Sequence, residues 1–165
     1  MLSKSYFSSH GDKISENEVD ALVIRLDIVL PSEYKWFVSN INGGEPKNKF
    51  FELRKFDSDE SNINCYVIVD HFFSYEEILE VWSNTKEDLN ELLLFPIAEI
   101  RGGMILCCKQ GHSEYCELFF YDYNFGVLQL TKSLENFLNL LIPQSAVDFK
   151  KYGIDFSFPE SENNE

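Results

Sequence analysis

The chain has 165 residues, 44% hydrophobic and 15% aromatic, and its 14 Lys and Arg against 28 Asp and Glu leave a net charge of −14. That length fits one domain, which buries enough surface to fold without a metal or disulfide staple. So strong a polyanion repels nucleic acid and anionic lipid, which argues against direct DNA, RNA or membrane binding and leaves two readings, plain solubility or a basic partner.

The opening residues, MLSKSYFSSHGDK, lack the apolar core of a secretory signal, and no later apolar run reaches the ~18–20 residues of a membrane span. Four cysteines in such a chain read as reduced thiols, and the expected compartment is the cytoplasm. Residues 1–14 carry little periodicity and are expected to form a loose arm ahead of a single domain over 15–143, with a C-terminal extension over 144–165.

Ser15 and Glu18 form the S-x-x-E capping pair that opens a helix, and Val19, Leu22, Val23 and Leu26 follow on one face. The stretch LPSEYKWFVSNINGG then encodes a second, short helix. Pro31 disfavours a helical Leu30, Ser32 is the expected N-cap, and Glu33 suits the positive end of this helix. Tyr34, Phe37, Val38 and Ile41 share a face, Asn42 and Gly43 end the helix in left-handed geometry, and Gly44 turns the chain into Glu45-Pro46.

Segments 49–56 and 63–70 read as strands joined by the acidic turn DSDESN. A third helix starts at Ser74 with Glu77 as its capping-box partner, Phe73 and Ile78 as its hydrophobic staple, and Ile78, Trp82, Thr85 and Leu89 as its inner face. Four more strand-like segments follow at about 93–99, 104–109, 115–122 and 126–130, with Arg101-Gly102-Gly103 as the first tight connection. A last helix begins at Ser133, with Leu134, Phe137, Leu138 and Leu141 on one face. Strands joined by short turns favour antiparallel pairing, so the expected fold is α+β, a mainly antiparallel sheet of about six strands with about four surrounding helices. The tail is partly apolar and is expected to pack back on the body, with PESENNE at its end disordered.

Chemistry-bearing patterns are few. Cys108, His112 and Cys116 have a C-x3-H-x3-C spacing that suits zinc ligands, but the set lacks a fourth. The plainer reading is a β-hairpin with the cysteines near-opposed and His112 at its tip. His71, at a strand end before Phe72-Phe73, has no nucleophile placed beside it. Neither Gly43-Gly44 nor Gly102-Gly103 belongs to a phosphate loop, and no nucleophile elbow is present. The expectation is a protein without catalysis, cofactor or metal. The acids cluster instead: Asp57, Asp59 and Glu60 on one loop, Glu76, Glu77 and Glu80 opening the third helix, and Glu87, Asp88 and Glu91 closing it, where the helix dipole disfavours them.

Three segments in this order resemble the SUKH superfamily, the bacterial immunity proteins related to the yeast Smi/Knr cell-wall assembly regulator. They are LPSEYKWFVSNINGGEP, FPIAEIRGGMILCC and SLENFLNLL, and the resemblance runs from about residue 16 to 142. It implies a binding module on an α+β scaffold whose bacterial members neutralise polymorphic or contact-dependent toxins, many of them nucleases. It also implies that Leu30, Pro31, Tyr34, Phe37, Asn42, Gly43, Gly44, Pro46, Gly102 and Gly103 are fold determinants. Nuclease toxins need basic surfaces, which matches the charge of this chain. The expected partner is therefore a cognate basic toxin, held by a monomer or weak dimer. The expected binding face comprises Glu45, Asp57, Asp59, Glu60, Glu76, Glu77 and Glu80, with Phe72, Phe73, Tyr75 and Trp82 as aromatic anchors. The alternative is an adaptor of the Smi/Knr kind that binds endogenous signalling or cell-wall synthesis proteins.

Overall fold

The computed structural model describes residues 2–54, 64–124 and 126–147. Helices α1 (Glu16–Leu26) and α2 (Ser32–Asn40) precede strands β1 (Phe50–Arg54) and β2 (Asn64–Phe72). Helix α3 (Tyr75–Glu91) leads into β3 (Leu94–Ile100), β4 (Met104–Lys109), β5 (Leu118–Asp122) and β6 (Gly126–Thr131), and α4 (Leu134–Leu140) follows. The six strands form one sheet in sequence order, antiparallel at every pairing. This is the expected α+β fold. The turn DSDESN and everything after Val147 lie outside the described residues.

The helices start where local chemistry dictates. Both Ser15 and Ser74 complete capping boxes, with Glu18 and Glu77 reaching back to the cap amides. The inner faces are the expected ones: Tyr34, Phe37 and Val38 are buried on α2, Ile78, Trp82, Thr85 and Leu89 on α3, and Leu134, Phe137 and Leu138 on α4. The sheet curls, so Phe51 of β1 lies 6.0 Å from Phe120 of β5 and stacks at 5.0 Å on Phe137 of α4. Backbone bonds between Phe50 and Ile142 then pair the outer edge of β1 with the chain leaving α4.

Three details differ from the sequence reading. Pro31, not Ser32, is the N-cap of α2, because the loop between β4 and β5 satisfies the first amides: the carbonyls of Ser113 and Glu114 accept from Ser32 N (3.0 Å) and Glu33 N (2.9 Å). The same recruitment delays β5 to Leu118. The arm before α1 is not loose. Phe7 is buried against Phe37 and Phe72, and its neighbours bond to the backbone of Glu45 and Lys47. Backbone bonds rather than a periodic face hold this segment, so periodicity could not announce it.

The Asn42-Gly43-Gly44 turn sits between this arm and the β2–α3 junction. Asn42 donates to the Asp12 carbonyl (2.9 Å) and accepts from Tyr75 N (2.8 Å), tying arm to α3. Gly44 and Phe72 exchange two backbone bonds of 2.9 Å. A Cβ at Gly43 would lie 2.6 Å from Ser74 N, and one at Gly44 would run into the Ser9 carbonyl; both glycines have positive φ, 78° and 117°. Only glycine permits this approach. The motif thereby fixes where α3 begins, and with it the side chains of the first turns of α3.

Candidate protein-binding cleft

Those first turns face the sheet across a cleft of about 340 Å³. Its apolar lining is Phe73, Val81, Met104 and Ile105, and its polar lining is His71, Glu77, Glu80 and Glu99, with Gly103 at the side. Four elements converge here. Strand register sets His71 of β2 opposite Glu99 of β3, and Glu99 opposite Ile105 of β4. The staple and capping box of α3 supply Phe73 and Glu77, and Glu80 and Val81 follow one turn later on the same helix.

The electrostatics are lopsided. His71 lies between two acids, with Nε2 3.2 Å from Glu77 Oε1 and Nδ1 3.3 Å from Glu99 Oε2. The other oxygen of Glu77 is committed to the cap, accepting from Ser74 N at 2.7 Å. Nearby cations are already paired: Lys49 with Glu45 (2.8 Å) and Arg101 with Asp70 (2.6 Å). The Lys49 hydrogen bond and charge hold the Glu45 carboxyl below its usual range, and Asp70 raises the Arg101 guanidinium in the same way. Among the described residues that line the cleft, Glu77, Glu80 and Glu99 therefore stand without a Lys or Arg, and the one imidazole present approaches Glu77 and Glu99.

The expected face divides on this geometry. Glu77 and Glu80 line the cleft, Glu76 is exposed beside it, and Glu45 is exposed near His71 and Asp70. Asp57, Asp59 and Glu60 lie outside the described residues. The expected anchors need correction: Phe72 is 0% exposed, Phe73 6% and Trp82 5%, because Phe72 packs on Phe7 and Phe37 and Trp82 on Phe95. Such rings have no face to offer a partner, although Phe73 is among the residues that line the cleft. Tyr75 is half-buried, its amide held by Asn42. Sequence reasoning missed Glu99, the only polar residue in LFPIAEI, which its lone position marks as outward-facing. It also gave His71 no partner, since the contact exists only through the β2–β3 register.

The cysteine pattern does not gather into a site. Cys107, Cys108 and Cys116 are free and buried, while His112 is exposed. Burial raises the Cys107 and Cys116 thiols well above their usual value and does the same to Tyr34, whose hydroxyl sits among the thiols without a hydrogen-bond partner. No group of three or more His, Cys, Asp or Glu among the described residues is arranged to hold a metal. No helix among them is long and apolar enough to cross a membrane.

A curled six-stranded antiparallel meander with four helices defines a protein of the α+β class. The chain belongs to the SMI1 / KNR4 family (SUKH-1), whose model matches residues 13–140. A comparison with curated proteins finds no match.

Proposed function

We propose that this chain is a non-catalytic immunity protein that binds and neutralises a cognate bacterial toxin of the polymorphic or contact-dependent kind. The toxin is a basic nuclease domain, and the contact is made through the acidic face around α3. One observation carries the reading: the cleft gathers three carboxylates, Glu77, Glu80 and Glu99, with no Lys or Arg among its lining residues. A nuclease must hold phosphate backbones with Lys and Arg, so an acidic cover competes for the surface its substrate uses. The net charge of −14 supports fast capture, because long-range attraction raises association rates by ~10–10³-fold. Fast capture matters when the target is lethal. The protein acts in the cytoplasm as a monomer or weak dimer, without cofactor.

The test is affinity capture from lysate and secreted fractions of the source cells, with elution in a salt gradient. The captured domain is then expressed with and without this chain. A basic toxin domain that elutes late and stops growth only when expressed alone establishes the function. Stable capture of endogenous signalling or cell-wall synthesis proteins, with no toxic domain among them, moves the assignment to the adaptor role.

A further inference from the structure

We propose that the cleft between α3 and β2–β4 receives one arginine side chain projecting from the partner. The inference rests on reading this chain as a binder of a basic protein, and adds which side chain is gripped and where. The cleft is two-natured in the way an arginine is. Val81, Met104, Ile105 and Phe73 offer apolar surface for the three-carbon stem, while Glu80 on the helix wall and Glu99 on the sheet wall stand beside it. Both carboxylates are exposed, so they are solvated and reachable in the free protein. The guanidinium fork carries five donors and can serve acids on both walls, which a point-charge ammonium cannot do with the same geometry.

Charge complementarity selects this occupant. Three carboxylates outnumber the one imidazole, so a guanidinium offsets part of the negative excess, whereas a neutral side chain would offset none of it and an anionic one would add to it. A metal ion is the other cationic option, and the described residues offer no convergent ligand group for one. Gly103, with open space where a Cβ would stand, keeps the side of the cleft clear.

The experiment is an NMR titration of the full chain, labelled with nitrogen-15. The probes are a five-residue Gly/Ser peptide with a central arginine and the same peptide with neutral citrulline. The arginine peptide should shift the amides of His71, Glu80, Glu99 and Gly103 saturably, with the citrulline peptide about tenfold weaker, since hydrogen bonds between charged groups are the stronger kind. Glu80→Gln and Glu99→Gln, both at exposed positions that leave the core intact, should each weaken binding by about three- to tenfold. Equal binding of the two peptides overturns the inference. So do unsaturated shifts spread over Glu87, Asp88 and Glu91 at the far end of α3. A captured toxin whose affinity ignores both substitutions also overturns the arginine cleft while leaving the immunity function in place. Saturable arginine binding by a chain that neutralises no toxin does the reverse.

Discussion

Replacing Glu33 tests how this fold is held together, because its carboxylate joins three parts of the chain. Oε2 accepts from Cys116 N at 2.8 Å and from Leu134 N at 3.0 Å, and Oε1 accepts from Glu135 N at 3.1 Å. The residue sits on α2, yet the amides belong to the approach to β5 and to the first turn of α4. Hydrogen bonds to a charged group are worth ~1.5–3 kcal/mol each when buried, and half-burial lets water replace part of that. Glu33→Gln keeps one acceptor oxygen and turns an NH₂ toward a backbone N–H, so the expected loss is about 2 kcal/mol. Glu33→Ala loses all three bonds and should cost about 3–4 kcal/mol, including the negative charge at the α4 N-terminus. Urea unfolding followed by far-ultraviolet circular dichroism measures both. At ~2–4 °C per kcal/mol for a chain of this size, Tm should fall by about 4–8 °C for the Gln variant. Glu87→Gln, exposed near the end of α3, is the control and should stay within about 0.5 kcal/mol of the parent. A Glu33→Gln variant as stable as that control refutes the argument that this carboxylate clamps the three elements.

Gly44→Ala and Gly43→Ala should each cost about 2–4 kcal/mol, since the added methyl meets backbone at positive φ, whereas Gly103→Ala, strained but in open space, should cost only about 1 kcal/mol; equal losses at all three sites in thermal melts would remove the close-approach argument. Stability should also fall in alkali. Burial raises the folded pKa of Cys107 and Cys116 above the usual 9.0, so the unfolded chain releases these protons first, and stability present below pH 9.0 declines above it by about 1.4 kcal/mol per pH unit per thiol. Urea unfolding across this range should show the decline, and Cys107→Ala should flatten it by one thiol's share; a level profile contradicts the burial account. For the partner complex, combined Glu76→Gln, Glu77→Gln and Glu80→Gln should slow association and flatten its salt dependence between about 50 and 500 mM, measured by surface plasmon resonance; a rate indifferent to salt in the parent protein rules out steering.

What the sequence makes legible is what short-range chemistry encodes. Ser15 with Glu18 and Ser74 with Glu77 announce two helix starts because capping is complete within four residues. The inner face of α3 is readable to the residue for the same reason, since helical periodicity alone places Ile78, Trp82, Thr85 and Leu89 together. What escapes is what distant segments decide. Glu33 looks like a helix-dipole residue of α2, and nothing local points it at amides about one hundred positions further on. Phe72, Phe73 and Trp82 look equally fit for core or interface, because an aromatic ring has the same composition in either place and only packing chooses. The cleft itself exists through the β2–β3 register and the turn at Asn42, so two of its three acids, Glu77 and Glu80, are visible as a helix cluster while Glu99 and His71 are not visible as their neighbours.

The most direct test of the account is the activity of the captured basic domain titrated with this chain. The account predicts that nuclease activity falls linearly to zero at one equivalent, and that Glu80→Gln together with Glu99→Gln shifts the titration to higher protein concentration. A captured domain that keeps its full activity at saturating amounts of this chain would contradict the central claim that binding here is neutralisation.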